Sequence, residues 1–168
     1  MAAFASSYIP TLASAVTRSA DVASVNTLSP WYSSTGTIYS EIERYASGQN
    51  VRGSIFHDGT TSNFIGSSEY TFGGQGGVVV DSGVAQVSLG AGGSSLGVKK
   101  LAFAFGTNDF ALSENGGAVT TDTSGTVPTV TTLGIGSLTS ANVGTGYIRR
   151  IAFYPRRLTN AELQALSA

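Results

Sequence analysis

The strongest constraint on the fold is the stretch GYIRRIAFYPRRLTNAELQAL, residues 146–166. Tyr147–Tyr154 is rich in β-branched and aromatic residues and has the length of a strand. Side chains alternate across a strand, so Ile151 and Phe153 are expected on one face, with Ile148 and Ala152 on the other. Pro155 has no N–H and ends the ladder. Thr159 and Glu162 have the spacing of a capping box, with Leu158 and Leu163 at the flanking staple positions. The helix this predicts is too short to hold in water alone. It needs a sheet to pack on, and the strand before it is read as the one that closes that sheet.

The rest of the chain reads as short strands punctuated by turns. A short strand is expected over 15–18, a loop over 19–35 and a strand over 36–45. In the last, Ile38, Ser40, Ile42 and Arg44 share one face, and Tyr39, Glu41, Glu43 and Tyr45 the other. A strand over 51–57 runs into Asp58-Gly59, a strong turn pair. Further strands are predicted over 62–65, 70–72, 78–80 and 84–89, with glycine loops at 72–77 and 89–97. Residues 98–106 give the clearest central strand, because Leu101, Phe103 and Phe105 alternate with Ala102 and Ala104. Turns at Asn108-Asp109 and Asn115-Gly116 frame a strand over 110–113; strands over 118–123 and 128–135 follow, then a loop over 134–144. Turns every eight to twelve residues, in a chain of 168, predict one sandwich or jelly-roll domain.

Composition narrows the function classes. Charged residues are only 11% and the net charge is −1, so there is no electrostatic case for nucleic acid. Cysteine is absent, which removes disulfides and thiolate metal sites. No run approaches about 18 apolar residues, so no membrane insertion is expected. Residues 1–8 lack the basic start and apolar run of a signal peptide. Residues 1–14 read as a lead-in from a longer protein, and 15–168 as the domain.

Several motifs carry a resemblance. The stretch 110–119, FALSENGGAV, resembles the strand–turn–strand of laminin-G-like domains. Gly146 and Ile148, then Ile151, Phe153 and Tyr154, then Arg157-Leu158-Thr159 and Glu162-Leu163 resemble the last strand and helix of that family. Ser7-Tyr8-Ile9-Pro10-Thr11, with the residues up to Asp21, is similar to segments that precede such domains in phage tail and virion proteins. The resemblance implies an all-β, concanavalin A-like jelly roll: two antiparallel sheets face to face, with a short C-terminal helix. Two features depart from the family pattern, the pair Arg149-Arg150 in the last strand and Pro155 after it. Some members bind calcium through Asp side chains and backbone carbonyls.

Glu41 and Glu43 share a face, but Tyr45 stands where a laminarinase-type glucanase of this fold carries a third acid, so two solvated acids are the stronger reading. His57 is the single histidine and has no partners for a transition-metal site, which leaves it flanking a turn. Asp58, Asp109 and Asp122 sit at turns; calcium could use such loops, and turn formation alone also selects Asp there. Calcium is therefore the one cofactor left open. Trp31 and Tyr32 are the leading sugar-stacking candidates, with Tyr70, Asn63 and Asn108 behind them. The competing and weightier reading puts Trp31 over one end of the core. Arg149, Arg150, Arg156 and Arg157 suit an acidic glycan, a neighbouring subunit, or pairing with Glu41, Glu43 or Glu162.

These readings predict a non-catalytic carbohydrate-binding domain, not an enzyme, that recognises a host receptor from a phage tail fibre or other virion protein. The expected setting is the virion tail at the host surface, as a homotrimer or other homo-oligomer among virion proteins, with a cell-surface glycan as ligand. The alternatives are a structural, oligomerisation or capping domain without glycan binding and, behind that, a glycoside hydrolase.

Overall fold

The computed structural model describes residues 22–46, 50–70, 74–90, 96–139 and 143–168. Eleven strands and one helix follow in order among them: β1 (Ala23–Val25), β2 (Gly36–Arg44), β3 (Val51–His57), β4 (Phe64–Tyr70), β5 (Gly74–Asp81), β6 (Val84–Leu89), β7 (Gly97–Phe105), β8 (Phe110–Glu114), β9 (Thr120–Asp122), β10 (Thr132–Ile135), β11 (Tyr147–Tyr154) and α1 (Asn160–Ser167). Every pairing is antiparallel. One sheet has six strands, in the order β1-β10-β3-β4-β5-β6; the other has five, β11-β2-β7-β8-β9. The fold is thus an all-β jelly-roll sandwich with a short C-terminal helix.

The alternation read in β7 sets the layers. Leu101, Phe103 and Phe105 point inward with Ile38 and Ile42 of β2, and meet Phe56, Ile65, Val79 and Val87 of the facing sheet. The small face, Ala102 and Ala104, lies outward with Tyr39 and Ala111, and there α1 docks through Leu158 and Leu163. The capping box forms as read: Glu162 N donates to Thr159 Oγ1 at 3.3 Å, and Thr159 N donates to Glu162 Oε2 at 2.7 Å. Arg156 and the Thr159 bonds hold the Glu162 carboxyl down to about 2. The β8–β9 turn is also as read, with Asn115 and Gly116 at φ 48° and 70°, the paired left-handed conformation that favours an Asn-Gly step.

Five expectations need correction. A register shift in β11 places Ile148 opposite Ile42 and Arg150 opposite Glu41, so Arg149 is the extra residue of a bulge. The bulge flips the alternation, and Ile148 packs on the core with Phe153 instead of facing away from it. The strand predicted over 62–65 instead runs on as one strand, β4, to Tyr70, where the separate strand over 70–72 is expected; residues 71 and 72 lie outside the described residues. The glycines read as a loop over 72–77 belong in part to β5, where Gly77 pairs with Leu89. A Cβ on Gly77 would lie 2.1 Å from the Phe103 ring, so the bare glycine lets that ring fill the core. Finally, β1 arises within the predicted loop 19–35, and the 128–135 strand is confined to β10. The 15–18 strand and the 1–14 lead-in lie outside the described residues.

Candidate functional site

On the outer face of the six-stranded sheet, strands β1, β10 and β3 form the floor of an open groove of about 280 Å³. Ser24 stands opposite Gly134, and Thr132 opposite His57, so the register alone brings these residues together. The chain beyond β10 folds back over the strand: Gly136 N donates to Gly53 O at 2.9 Å and Gly144 N to Gly136 O at 2.8 Å. That return needs Gly134, because a Cβ there would sit 2.2 Å from Ser137 O. Ser137 and Leu138 are thereby held in the wall, and Leu138 also packs on Ile55 and Phe64.

Among the described residues the lining is mostly polar and uncharged. Hydroxyls of Ser24, Thr132, Ser137 and Thr139, the Asn26 amide and the His57 ring surround it, with Val22 and Leu138 as apolar surface. His57 is 8% exposed, and burial pushes its pKa below the ordinary value of 6.5, against the opposing pull of Asp58. The Gly59 N–H donates to His57 Nδ1 at 2.9 Å. Nδ1 is therefore the acceptor of the neutral ring, and the proton sits on Nε2. A rigid N–H donor among hydroxyls and an apolar wall can orient a small polyhydroxylated ligand; the volume lies just under the range of drug-sized pockets, about 300–1,000 Å³.

The titration has a checkable sign. Because the folded state holds His57 neutral, it binds fewer protons than the unfolded chain below pH 6.5. Stability is fully present above that value and falls as pH drops toward the depressed folded pKa. Thermal melts taken from about pH 7 to about pH 5 are expected to lose less stability in His57→Gln than in the parent chain. Equal slopes in the two proteins would refute the assignment.

The residues singled out from the sequence are placed elsewhere. Trp31 packs on Phe56 and Phe153 at ring distances of 5.9 and 5.7 Å, and its Nε1 donates to Thr27 O at 3.0 Å. Tyr32 packs beside it, 4.9 Å from Phe56, and burial pushes its hydroxyl up to about 12. The two rings plug one end of the sandwich. Asn63 ties loops together: its Nδ2 donates to Asp58 Oδ2 at 2.8 Å, and its Oδ1 accepts from Ser82 N at 2.7 Å. Asn108 Oδ1 accepts from Gly125 N at 3.1 Å. Tyr70 ends β4, and its side chain lies outside the described residues.

The carboxylates are likewise committed locally. Asp58 Oδ1 accepts from Thr60 N and Thr60 Oγ1 at 2.8 and 2.7 Å, and these bonds, with the one from Asn63, hold its pKa below the usual value. Asp122 accepts from Ser124 N at 2.9 Å. Asp109 pairs with Arg157 at 3.1 Å. Among the described residues no three His, Asp or Glu side chains gather as a metal site. Glu41 and Glu43 lie on the outer face of the other sheet, away from the groove. Glu43 pairs with Arg149 at 2.8 Å, and Glu41 accepts from Tyr39 OH at 3.4 Å. Arg156 pairs with Glu162, while Arg150 lies over the Tyr39 ring, 5.5 Å from its centroid.

Ser24, Thr132 and Ser137 went unread in the sequence. The one signal for them was Gly134 inside a strand pattern, which marks a close backbone approach.

No protein-family profile and no curated protein matches the chain. Solved structures do. The CBM40 of the Ruminococcus gnavus IT-sialidase superposes with a TM-score of 0.64 at 17% identity, over 80% of this chain and 83% of that one. Domain 4 of AbnA, a GH43 extracellular arabinanase from Geobacillus stearothermophilus, in complex with arabinotriose, gives 0.59 at 12% identity, over 89% and 82%. The NanB sialidase from Streptococcus pneumoniae gives 0.65 at 13% identity over 87% of this chain, which spans only 27% of that enzyme. At these identities the likeness establishes a shared β-sandwich fold.

Proposed function

We infer that the domain binds carbohydrate without transforming it, and that the groove between β1, β10 and β3 is where the sugar sits. The observation that carries this reading is the lining: hydroxyls, one amide and a neutral imidazole N–H, with no charged side chain among the described residues. The fold shared with CBM40 of a sialidase, also solved bound to α2,3-sialyllactose, supports the class of function. Among the described residues the groove has no Lys or Arg to meet a sialic acid carboxylate, which favours a neutral sugar. As the finer reading, the domain recognises a host-surface glycan from a phage tail fibre, and trimeric presentation multiplies the weak affinity of one site.

A glycan array probed with the intact protein tests this. The expected result is retention of neutral glycans, weakened about tenfold or more by His57→Ala, the size expected when a buried donor to the ligand is lost. Silence across the array would overturn it in favour of a structural role in the particle. Release of reducing sugar from a retained glycan would assign a hydrolase instead.

A further inference from the structure

We propose a second binding site, at the opposite end of the sandwich from His57, built on Glu114 and shaped for one ring of a neutral polyhydroxylated ligand. Glu114 is the last residue of β8 and stands opposite Leu101, on the same inward face as Phe110 and Leu112. Its carboxylate is used on one side only. Lys99 Nζ donates to Oε1, and the two side chains are 13% and 17% exposed. Oε2 is buried and has no hydrogen-bond partner among the described residues. A buried carboxylate oxygen without a donor is unfavourable and uncommon in native folds, so it asks for an explanation.

The explanation offered by the geometry is the cavity that Glu114 lines. It measures about 250 Å³ and opens where β6 meets β8 and β9, among Gly90, Leu112, Asn115, Gly117 and Thr120. Three features define the ligand. Lys99 already neutralises Glu114, so a metal ion or an amine gains no net attraction. An anion gains no net attraction from the pair either, and Oε2 can only accept hydrogen bonds, so it offers an anion no donor. A hydroxyl donor suits Oε2, and the lining adds a Thr120 hydroxyl and the Asn115 amide, whose Oδ1 already accepts from Lys100 N at 2.9 Å and whose Nδ2 remains a donor. Leu112 supplies apolar surface for the C–H face of a sugar ring. The site stands apart from the groove at His57 and does not depend on it.

The test is a two-dimensional ¹⁵N NMR titration of the full chain with methyl glucoside, methyl galactoside and N-acetylglucosamine, with glucuronate and calcium as charged controls. At least one neutral sugar is expected to shift the Gly117 and Thr120 amides saturably, and the charged probes are not. Glu114→Gln, which keeps the size but changes one acceptor to a donor, is expected to weaken that binding about tenfold. Thr120→Val gives a second reading should Glu114→Gln disturb the Lys99 pair, and it too is expected to weaken the shift. His57→Ala should leave it unchanged. The proposal fails if no neutral sugar on the order of 100 mM perturbs these amides; Oε2 is then satisfied by solvent only. It also fails if Glu114→Gln and Thr120→Val both bind like the parent. Sugar shifts confined to residues around His57 would overturn this site while leaving the groove intact.

Discussion

Gly77→Ala is expected to destabilise the fold by about 1–3 kcal/mol, the usual cost of forcing extra volume into a packed core. The same substitution is expected to cost far less in a Phe103→Ala background. The new Cβ would lie 2.1 Å from the Phe103 ring, closer than packed atoms tolerate, and Phe103 is fully buried in the centre of β7. Neither the ring nor the paired backbone of β5 can retreat without disturbing neighbours. Phe103→Ala alone is expected to cost about 3–5 kcal/mol through lost burial and the cavity left behind. In the double variant the methyl enters that cavity, so the two effects are not additive. Urea unfolding of the four proteins of the cycle measures the coupling. Additive costs would mean that Gly77 and Phe103 do not compete for the same space.

Leu163→Ala is expected to cost about 2–5 kcal/mol. Leu163 has no exposed surface, and with Leu158 it anchors α1 on the small-residue face of the five-stranded sheet. A helix of eight residues does not persist by itself, so its cap and charge pairs contribute only while the leucines are docked. Losing the anchor also uncovers Tyr39, Ala102, Ala104 and Ala111 together. Ala165→Ser, on the exposed side of the same helix, is expected to stay within about 0.5 kcal/mol. A Leu163→Ala loss below about 1 kcal/mol in denaturant unfolding would show that the helix is an ornament on an independently stable sheet.

The sheets were legible where local chemistry and packing agree. The large-and-small alternation of β7, the Asn115-Gly116 turn and the Thr159–Glu162 cap each follow from neighbouring residues alone. Misreadings occurred where distant residues decide. The glycines of β5 look like a loop until Phe103 is seen to need their bareness. Periodicity cannot announce the extra residue at Arg149, and so put Ile148 on the wrong face. The groove is assembled from β1, β10, β3 and the segment after β10, and no single one of them carries a motif. The loop setting of Trp31 and Tyr32 suits either sugar stacking or a cover over the core, and three phenylalanines from both sheets gather around them at one end of the core. Trp31 there meets the weightier of its two readings, the cover over the core.

The pairing of β2 has a consequence for how the chain matures. One flank of β2 is completed by β7 and the other by β11, which lies more than 100 residues downstream; Glu43 and Arg149 are 106 apart. During synthesis, one edge of this early strand stays open until nearly the whole domain has been translated. Such remote pairings make a slow search, with the entropy of a long loop lost before any contact compensates for it. Nascent chains halted before Tyr147 therefore hold an unsatisfied ribbon of backbone donors and acceptors, which is the hazard that chaperones guard and that ends when the final strand arrives.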